Sequence, residues 1–411
     1  MIKLIVFEYK KHFLKPPIIV AVLLFSLLSV AKIYSIHDAD SLLSESNTSP
    51  TWKGLYWKLY EGFRGPITDE KIGKLMAIYR PLENQTADRT ASSEDNPNTY
   101  TGGSVYTDRN FFLWNYVNPM RYAYEYKMYA NNVVTAAKSN MEFYKSLGNT
   151  YEYKKNAVIM DLFRDRSVSN FSYMEMYRYY VQYDFSAFLV LLICLYGLMH
   201  VFISEKETEM DVLLLTTKSG NSKTVLAKLI SSAIFVCILC TWFWIVDFAA
   251  FSFIFGSLEA ASTPLYALED FVNSSIDVSM GQYALLSGLI RTVGILVLST
   301  LFLFVSCLFK NALIPFIISL FAAFSCIYMN EVYMGSGRIL FKVVNPFVLV
   351  VNRELFRKTE FVAWFGYPML SYMAALLLAV TWGVLFILGV TLFVKKNALR
   401  KGGKERAIMG L

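Results

Sequence analysis

Glu205-Lys206-Glu207-Thr208-Glu209-Met210-Asp211 runs directly into Val212-Leu213-Leu214-Leu215-Thr216-Thr217-Lys218-Ser219-Gly220, and after Asn221-Ser222-Lys223 come Ala227-Lys228. An apolar run of membrane length lies on either side of this strip. The strip is too short to be a domain and too regularly patterned to be a casual loop. Glu205, Glu207, Glu209 and Asp211 supply acids. Met210, Leu213 and Leu214 supply an apolar anchor on the same short amphipathic helix, Gly220 marks its end, and Lys228 lies where the next apolar run begins. Such a surface suits docking of a second protein, with acids meeting basic residues and the aliphatic side chains filling a pocket.

The flanking runs decide the fold class. Of the 411 residues, 55% are hydrophobic and only 17% charged, below the roughly one quarter usual for soluble chains. Six apolar runs are long enough to be spans, at 16–36, 185–203, 229–253, 285–308, 313–329 and 369–394; the fifth is the shortest and the last has length to tilt. The sequence therefore predicts an all-α polytopic membrane protein of six transmembrane helices, with a mainly helical extracytoplasmic domain over 37–184 between the first two. The strip and its linker occupy 204–228, with an outer loop at 254–284, an inner turn at 309–312, a second outer loop at 330–368 and a tail at 395–411.

The net charge of +7 is not a nucleic-acid footprint, because the basic residues sit at membrane edges. Lys3, Lys10, Lys11 and Lys15 precede the first span, Lys218, Lys223 and Lys228 the third, and Lys395, Lys396, Arg400, Lys401, Lys404 and Arg406 follow the sixth. The positive-inside rule places them and both termini in the cytoplasm of a cell membrane, expected to be a bacterial plasma membrane. Glu259, Glu269, Asp270 and Asp277, in a loop without Lys or Arg, support this. Arg338, Lys342, Arg353, Arg357 and Lys358 in 330–368 run against it.

Residues 1–15 read as an amphipathic interfacial helix, with Ile2, Ile5, Val6, Tyr9 and Phe13 on one face and lysines opposite, resting on membrane lipid. Pro16-Pro17 then redirects the chain into a long apolar run without a convincing cleavage site. In 37–184, Thr68-Asp69-Glu70 opens a helix whose Ile72, Leu75, Met76 and Tyr79 share a face, and 121–147 and 151–164 are helical by their lack of internal Gly and Pro. The polar stretches 41–51 and 83–103 read as loops. Tyrosines at 177–183 fit packing and an aromatic belt. The tail after 395 reads as loosely ordered.

Asp247 and Arg291 fall within the third and fourth spans at similar depth in the outer part of the bilayer; pairing, or a polar cavity faced by both, would lower the cost of two charges in lipid, and snorkelling of each to the outer surface is the alternative. All five cysteines lie in spans, so no disulfide braces 37–184; Cys237 and Cys240, spaced as C-x-x-C, read as inert core thiols. No phosphate-binding G-x-x-x-x-G-K-S/T, no H-E-x-x-H, no metal-ligand cluster and no G-x-S-x-G occurs. Enzymatic activity, a metal and a cofactor are therefore not expected in this chain.

The order of elements, the acidic helix with Leu-Leu-Leu-Thr-Thr-x-x-Gly, the Ala227-Lys228 entry to the third span and the tight link at Ser306-Cys307-Leu308-Phe309-Lys310-Asn311 together resemble the permease subunit of ABC-2 type (type V) ABC transporters. The resemblance covers nearly all of the membrane part, while the large segment after the first span departs from the short loop of many members. It implies that Glu205, Glu207, Glu209, Met210, Asp211, Leu213, Leu214, Gly220 and Lys228 form a coupling helix docked on a separate ABC ATPase dimer, which holds ATP and Mg. It also implies a second permease copy or a related permease, and export of an amphipathic substrate such as a peptide, antimicrobial or lipid. Two other classes share an early outer domain. A YidC-type insertase requires a longer hairpin between spans two and three, and an FtsX- or MacB-like mechanotransmission subunit has four spans.

Overall fold

A computed structural model describes residues 1–40, 50–87, 100–101, 104–207, 220–332 and 339–408. Helix α1 (Ile2–His12) ends before Pro16, and α2 (Pro16–Asp40) starts on it, where a proline without an N–H costs nothing. Helices α3 (Pro50–Phe63), α4 (Asp69–Ala87), α5 (Val105–Phe112), α6 (Asn118–Ser146), α7 (Thr150–Phe163) and α8 (Glu175–Gln182) make up most of the segment after the first span, with a single π-helical turn, Leu113–Val117, joining α5 to α6. Strands β1 (Gly65–Pro66) and β2 (Asn170–Phe171) pair antiparallel. Then come α9 (Phe185–Glu207), α10 (Gly220–Phe255), α11 (Met280–Leu308), α12 (Leu313–Val332), α13 (Ile339–Val344), α14 (Phe347–Val350) and α15 (Arg353–Arg357). The hairpin β3 (Phe361–Trp364) and β4 (Tyr367–Leu370) leads into α16 (Ser371–Ile408).

The chain is an all-α multi-pass membrane protein by length and composition of its helices. Five stretches are long and apolar enough to span: Pro16–Ala39, Glu175–Glu207, Lys223–Phe255, Met280–Leu308 and Ser371–Lys396; Leu313–Met329, the expected fifth span, is apolar but shorter. Burial orders them. The apolar window of α9 is 78% buried, against 17% for α2 and 11% for α16, so α9 is the central post and α2 and α16 present their flanks to lipid. Helices α2, α10, α11 and α12 all pack on α9.

The expected 37–184 helices form, and the Thr68 hydroxyl accepts from the Lys71 amide at the start of α4. Leu75 and Tyr79 of the expected α4 face are buried with Tyr56, Tyr60, Phe63, Phe111, Phe112, Tyr116 and Phe171, an aromatic core that needs no disulfide. The unit is also fastened to the 256–279 segment. Tyr122 Oη donates to the Tyr266 carbonyl at 2.7 Å and Tyr129 Oη to Asn273 Oδ1 at 2.6 Å. Arg166, buried at 2% exposure, donates to the Ser274 and Ile276 carbonyls.

Three expectations change. Residues 83–87, expected in a loop, continue α4, and the remainder of both expected loops, apart from 50–51 in α3 and 100–101, lies outside the described residues. The tail is helical through Ile408, as an extension of α16. Most consequentially, 330–368 is not simply an outer loop. Val348, Leu349 and Val350 of α14 are fully buried, and the glycine side of α11 receives them: a Cβ built on Gly294 would stand 2.9 Å from Leu349 Cβ and 2.9 Å from the Val350 amide. At about 1.5 Å per residue, Gly294 lies about 20 Å along α11 from Met280, in a hydrocarbon layer about 30 Å thick. The segment therefore dips into the bundle and returns. Irregular backbone is tolerated at that depth only when protein satisfies its polar groups. Asn345 Nδ2 donates to the Cys326 carbonyl and its Oδ1 accepts from the Phe347 amide; Asn352 exchanges hydrogen bonds with Ser287 and donates to the Leu349 carbonyl.

Three of the basic residues that strained the charge rule are neutralised locally. Lys342 pairs with Glu360 at 2.9 Å, Arg353 with Asp184 at 3.3 Å, and Arg357 with Asp270 at 3.0 Å. Arg338 lies outside the described residues.

Gly294→Ala is expected to destabilise the full chain in detergent by about 1–3 kcal/mol through overpacking, because the new methyl meets backbone. Gly383→Ala, whose nearest neighbour atom is Val297 Cγ2 at 3.7 Å, is expected to leave the melting temperature unchanged. Equal melting shifts for the two variants would contradict the close seating of α14.

Candidate functional site: a buried charge cluster at the root of the strip

The strip is rooted on two helices. Helix α9 runs without a break through Glu205 and Lys206 to Glu207, and α10 begins at Gly220 and continues to Phe255. Of the residues expected to form the docking surface, Glu209, Met210, Asp211, Leu213 and Leu214 lie outside the described residues. Glu207 is exposed at the end of α9.

Glu205 and Lys228 are placed differently from the expectation. Lys228 is 1% exposed and faces inward, so it is no part of a docking surface. Its Nζ stands 2.9 Å from Glu205 Oε1 and 3.4 Å from Glu8 Oε2, and donates to the Val201 carbonyl at 2.6 Å. Lys11 reaches the same Glu205 oxygen at 3.2 Å. Glu8 and His12, one helical turn apart on α1, are both 2% exposed, with His12 Nε2 3.2 Å from Glu8 Oε2. The cluster thus joins α1, α9 and α10. An ammonium in an apolar surround must be neutralised and hydrogen-bonded, because the desolvation cost of a lone buried charge is several kcal/mol. Two carboxylates, two ammonium groups and a neutral imidazole balance to zero.

A fourth element is tied to the same root. Lys206 Nζ donates to the Phe309 carbonyl at 3.0 Å and also to the Cys307 carbonyl. These carbonyls terminate α11, where an ammonium is favourable against the helix dipole. The strip therefore grows from a point where α1, α9, α10 and α11 are fastened together by lysines.

Sequence reasoning missed Glu8 and His12. Their i, i+4 spacing on a helix read as amphipathic was the available signal, two titratable groups on one face. The expected apolar face packs only in part: Ile2 and Val6 are exposed, Ile5 and Tyr9 are half-buried, and Phe13 is buried and stacks on Phe235 at 4.2 Å.

Burial disfavours the charged form of Glu8, but the His12 contact and the Lys228 and Lys11 charges outweigh it and hold the carboxyl below its ordinary value. Burial lowers the His12 pKa below 6.5, and Lys228 and Lys11 push the same way against the opposing pull of Glu8.

The intramembrane charges at the other end also differ from the expectation. Arg291 does not pair with Asp247. Its Nη2 is 3.1 Å from Asp184 Oδ1 and donates to the Tyr183 carbonyl, while its Nε donates to the Val350 carbonyl. Asp247, 3% exposed, accepts from Ser29 Oγ at 2.7 Å, and the Tyr183 hydroxyl lies 2.7 Å from that same Oγ. Asp184, at the junction of α8 and α9, is simply nearer. Its two oxygens serve Arg291 and Arg353, and Arg291 thereby also braces the re-entrant α14.

Among the described residues no group of three or more His, Cys, Asp or Glu is arranged to hold a metal ion, and all five cysteines are free. No family model, no curated protein and no solved structure matches the chain.

Lys228→Met should leave Glu8 and Glu205 buried beside no ammonium from α10, and is expected to destabilise the docked α1 by about 3–5 kcal/mol, read as loss of amide-exchange protection over residues 2–12. Docking should also depend on pH. Because His12 is held below 6.5 when buried, the released helix takes up the proton first, so docking is complete above about pH 6.5 and is lost as pH falls through the folded value. Glu8, held low, adds a further loss on stronger acidification. His12→Gln is expected to remove the upper step, and an unchanged pH profile in that variant would count against the assignment.

Proposed function

We propose that this chain is the membrane permease subunit of an ATP-driven ABC transporter, moving an amphipathic substrate such as a peptide, antimicrobial or lipid, with hydrolysis on a separate ATPase. The observation that supports this best is mechanical. The acidic strip between Glu207 and Gly220 leaves from the spot where α1, α9, α10 and the end of α11 are cross-linked by Lys228, Lys11 and Lys206. A push on the strip acts on two continuous helices that reach the opposite membrane face, and through the lysines on two more. A loop serving only as a connector has no use for such an anchorage. Transmission also needs stiff elements with discrete packings, and the fully buried contacts of α9 meet that need.

In this reading Glu207, Glu209, Met210, Asp211, Leu213 and Leu214 meet the ATPase, while Glu205 and Lys228 hold the strip to the bundle. The end carrying the strip faces the cytoplasm, the 37–184 domain lies outside the cell, and a second permease completes the pathway.

Replacing Glu207 and Asp211 together by Lys is expected to abolish co-purification of a P-loop ATPase with the tagged chain while membrane insertion, measured by carbonate-resistant membrane recovery, stays at the wild-type level. Retention of the ATPase by the double variant would remove the docking role from the strip.

A further inference from the structure

A cleft of about 280 Å³ opens where the 37–184 domain meets the 256–279 segment, and the reading above assigns it nothing. Trp114, Pro119, Arg178, Gln182, Glu269 and Asp270 line it. A smaller hollow continues from Trp114, Pro119 and Arg178 toward Glu175. Trp114 stands on the π-helical turn whose next three residues, Asn115, Tyr116 and Val117, are all buried, yet it is itself 62% exposed. An inserted π turn shifts the side chains that follow it and is a frequent mark of functional positions; here it leaves an indole over the cleft.

The charges on the walls are unequal in their commitments. Asp270 is held on one oxygen by Arg357 and on the other by Gln182. Among the described residues, the Arg178 guanidinium has no ion pair and donates no hydrogen bond, and the Glu269 carboxylate accepts none. The cleft thus offers one free cation, one free anion and an aromatic face.

Its depth points to the ligand. Tyr179 and Tyr180, between Arg178 and Gln182 on α8, pack on Phe255, Phe248 and Phe251 in the last turns of α10. The helix lining the cleft therefore runs beside the end of a span, at the level of the polar layer about 5–8 Å thick that borders the hydrocarbon. We propose that this cleft binds the headgroup of a zwitterionic phospholipid, with its phosphate on Arg178 and its ammonium between Glu269 and the Trp114 ring. Arg is the side chain best suited to a phosphate, and an ammonium is held by a carboxylate and by an aromatic face. The volume suits a headgroup and excludes the acyl chains, which stay in the bilayer.

The test uses the full chain, purified in detergent and offered phosphatidylethanolamine and phosphatidylglycerol in equal amounts, with bound lipid counted by native mass spectrometry. A parallel arm offers water-soluble phosphoethanolamine. Wild type is expected to retain phosphatidylethanolamine. Arg178→Gln is expected to lower retention of both lipids about tenfold, the loss of one charge-assisted hydrogen-bonded contact. Glu269→Gln and Trp114→Leu are expected to lower phosphatidylethanolamine selectively and to leave phosphatidylglycerol unchanged or raised. The three side chains are exposed, so melting temperatures should stay at the wild-type value, and any variant that melts lower is set aside in favour of the other two. Equal phosphatidylethanolamine retention by wild type and the folded variants overturns the proposal. Binding of soluble phosphoethanolamine without retention of the intact lipid overturns the lipid as the source. Neither result bears on ATPase docking at the opposite end.

Discussion

A lysine ammonium cannot be left alone among the apolar ends of membrane helices, and the response to that constraint organises the strip end of this protein. Lys228 enters the bundle as part of α10, and the groups that satisfy it come from two other helices: Glu205 and the Val201 carbonyl on α9, and Glu8 on α1. Glu8 and Glu205 balance Lys228 and Lys11 in charge, so α1, which carries Glu8 and Lys11, cannot lift away without exposing or stranding charge. This is how a short N-terminal helix becomes a structural part of the bundle although its exposed Ile2, Val6 and Phe7 still suit a membrane surface.

The opposite end answers the same constraint with a different residue. Arg291, within the apolar α11, reaches Asp184 at the head of α9 and the carbonyls of Tyr183 and Val350. Arginine's planar fork can serve several acceptors at once, and here it joins α11 to the head of the central post and to the re-entrant α14. Asp247 needs no cation within bonding reach, because Ser29 meets it and Tyr183 meets Ser29. The two ends of the bundle are therefore fixed by separate polar clusters, with close apolar packing between them. Displacement at one end can reach the other through α9, α10 and α11 as stiff bodies.

Much of this was legible beforehand because lipid imposes simple rules. Long apolar runs must be helices, since a span without internal hydrogen bonds is too costly, and five of the six expected spans appear as helices of sufficient length. The start of α4 at Thr68 and the turn at Pro16 followed from local chemistry, the first from a capping hydroxyl and the second from a missing N–H. Misreadings arose where partners came from afar in sequence. Pairing Asp247 with Arg291 rested on equal depth in neighbouring helices, but depth says nothing about azimuth, and Asp184 had been counted as part of a soluble domain. Lys228 read as one more positive flank because burial of its Nζ depends on Glu8, a residue 220 positions earlier in the chain. The segment 330–368 read as a loop because its apolar stretches are too short to span; its inward course depends on the space beside Gly294.

Composition and pattern alone determined that the chain is a helical membrane protein, where several of its helices start, and that a charged strip interrupts it between two spans. Those properties are set within a few residues, by hydrogen-bond satisfaction and apolar length. Tertiary structure alone decided which charges meet, which face of α1 is buried, and that α14 descends into the bundle. Such choices depend on the rotation and lateral order of helices, which short-range sequence pattern does not encode, and in a low-dielectric interior a displacement of a few ångströms separates a neutralised pair from a stranded charge.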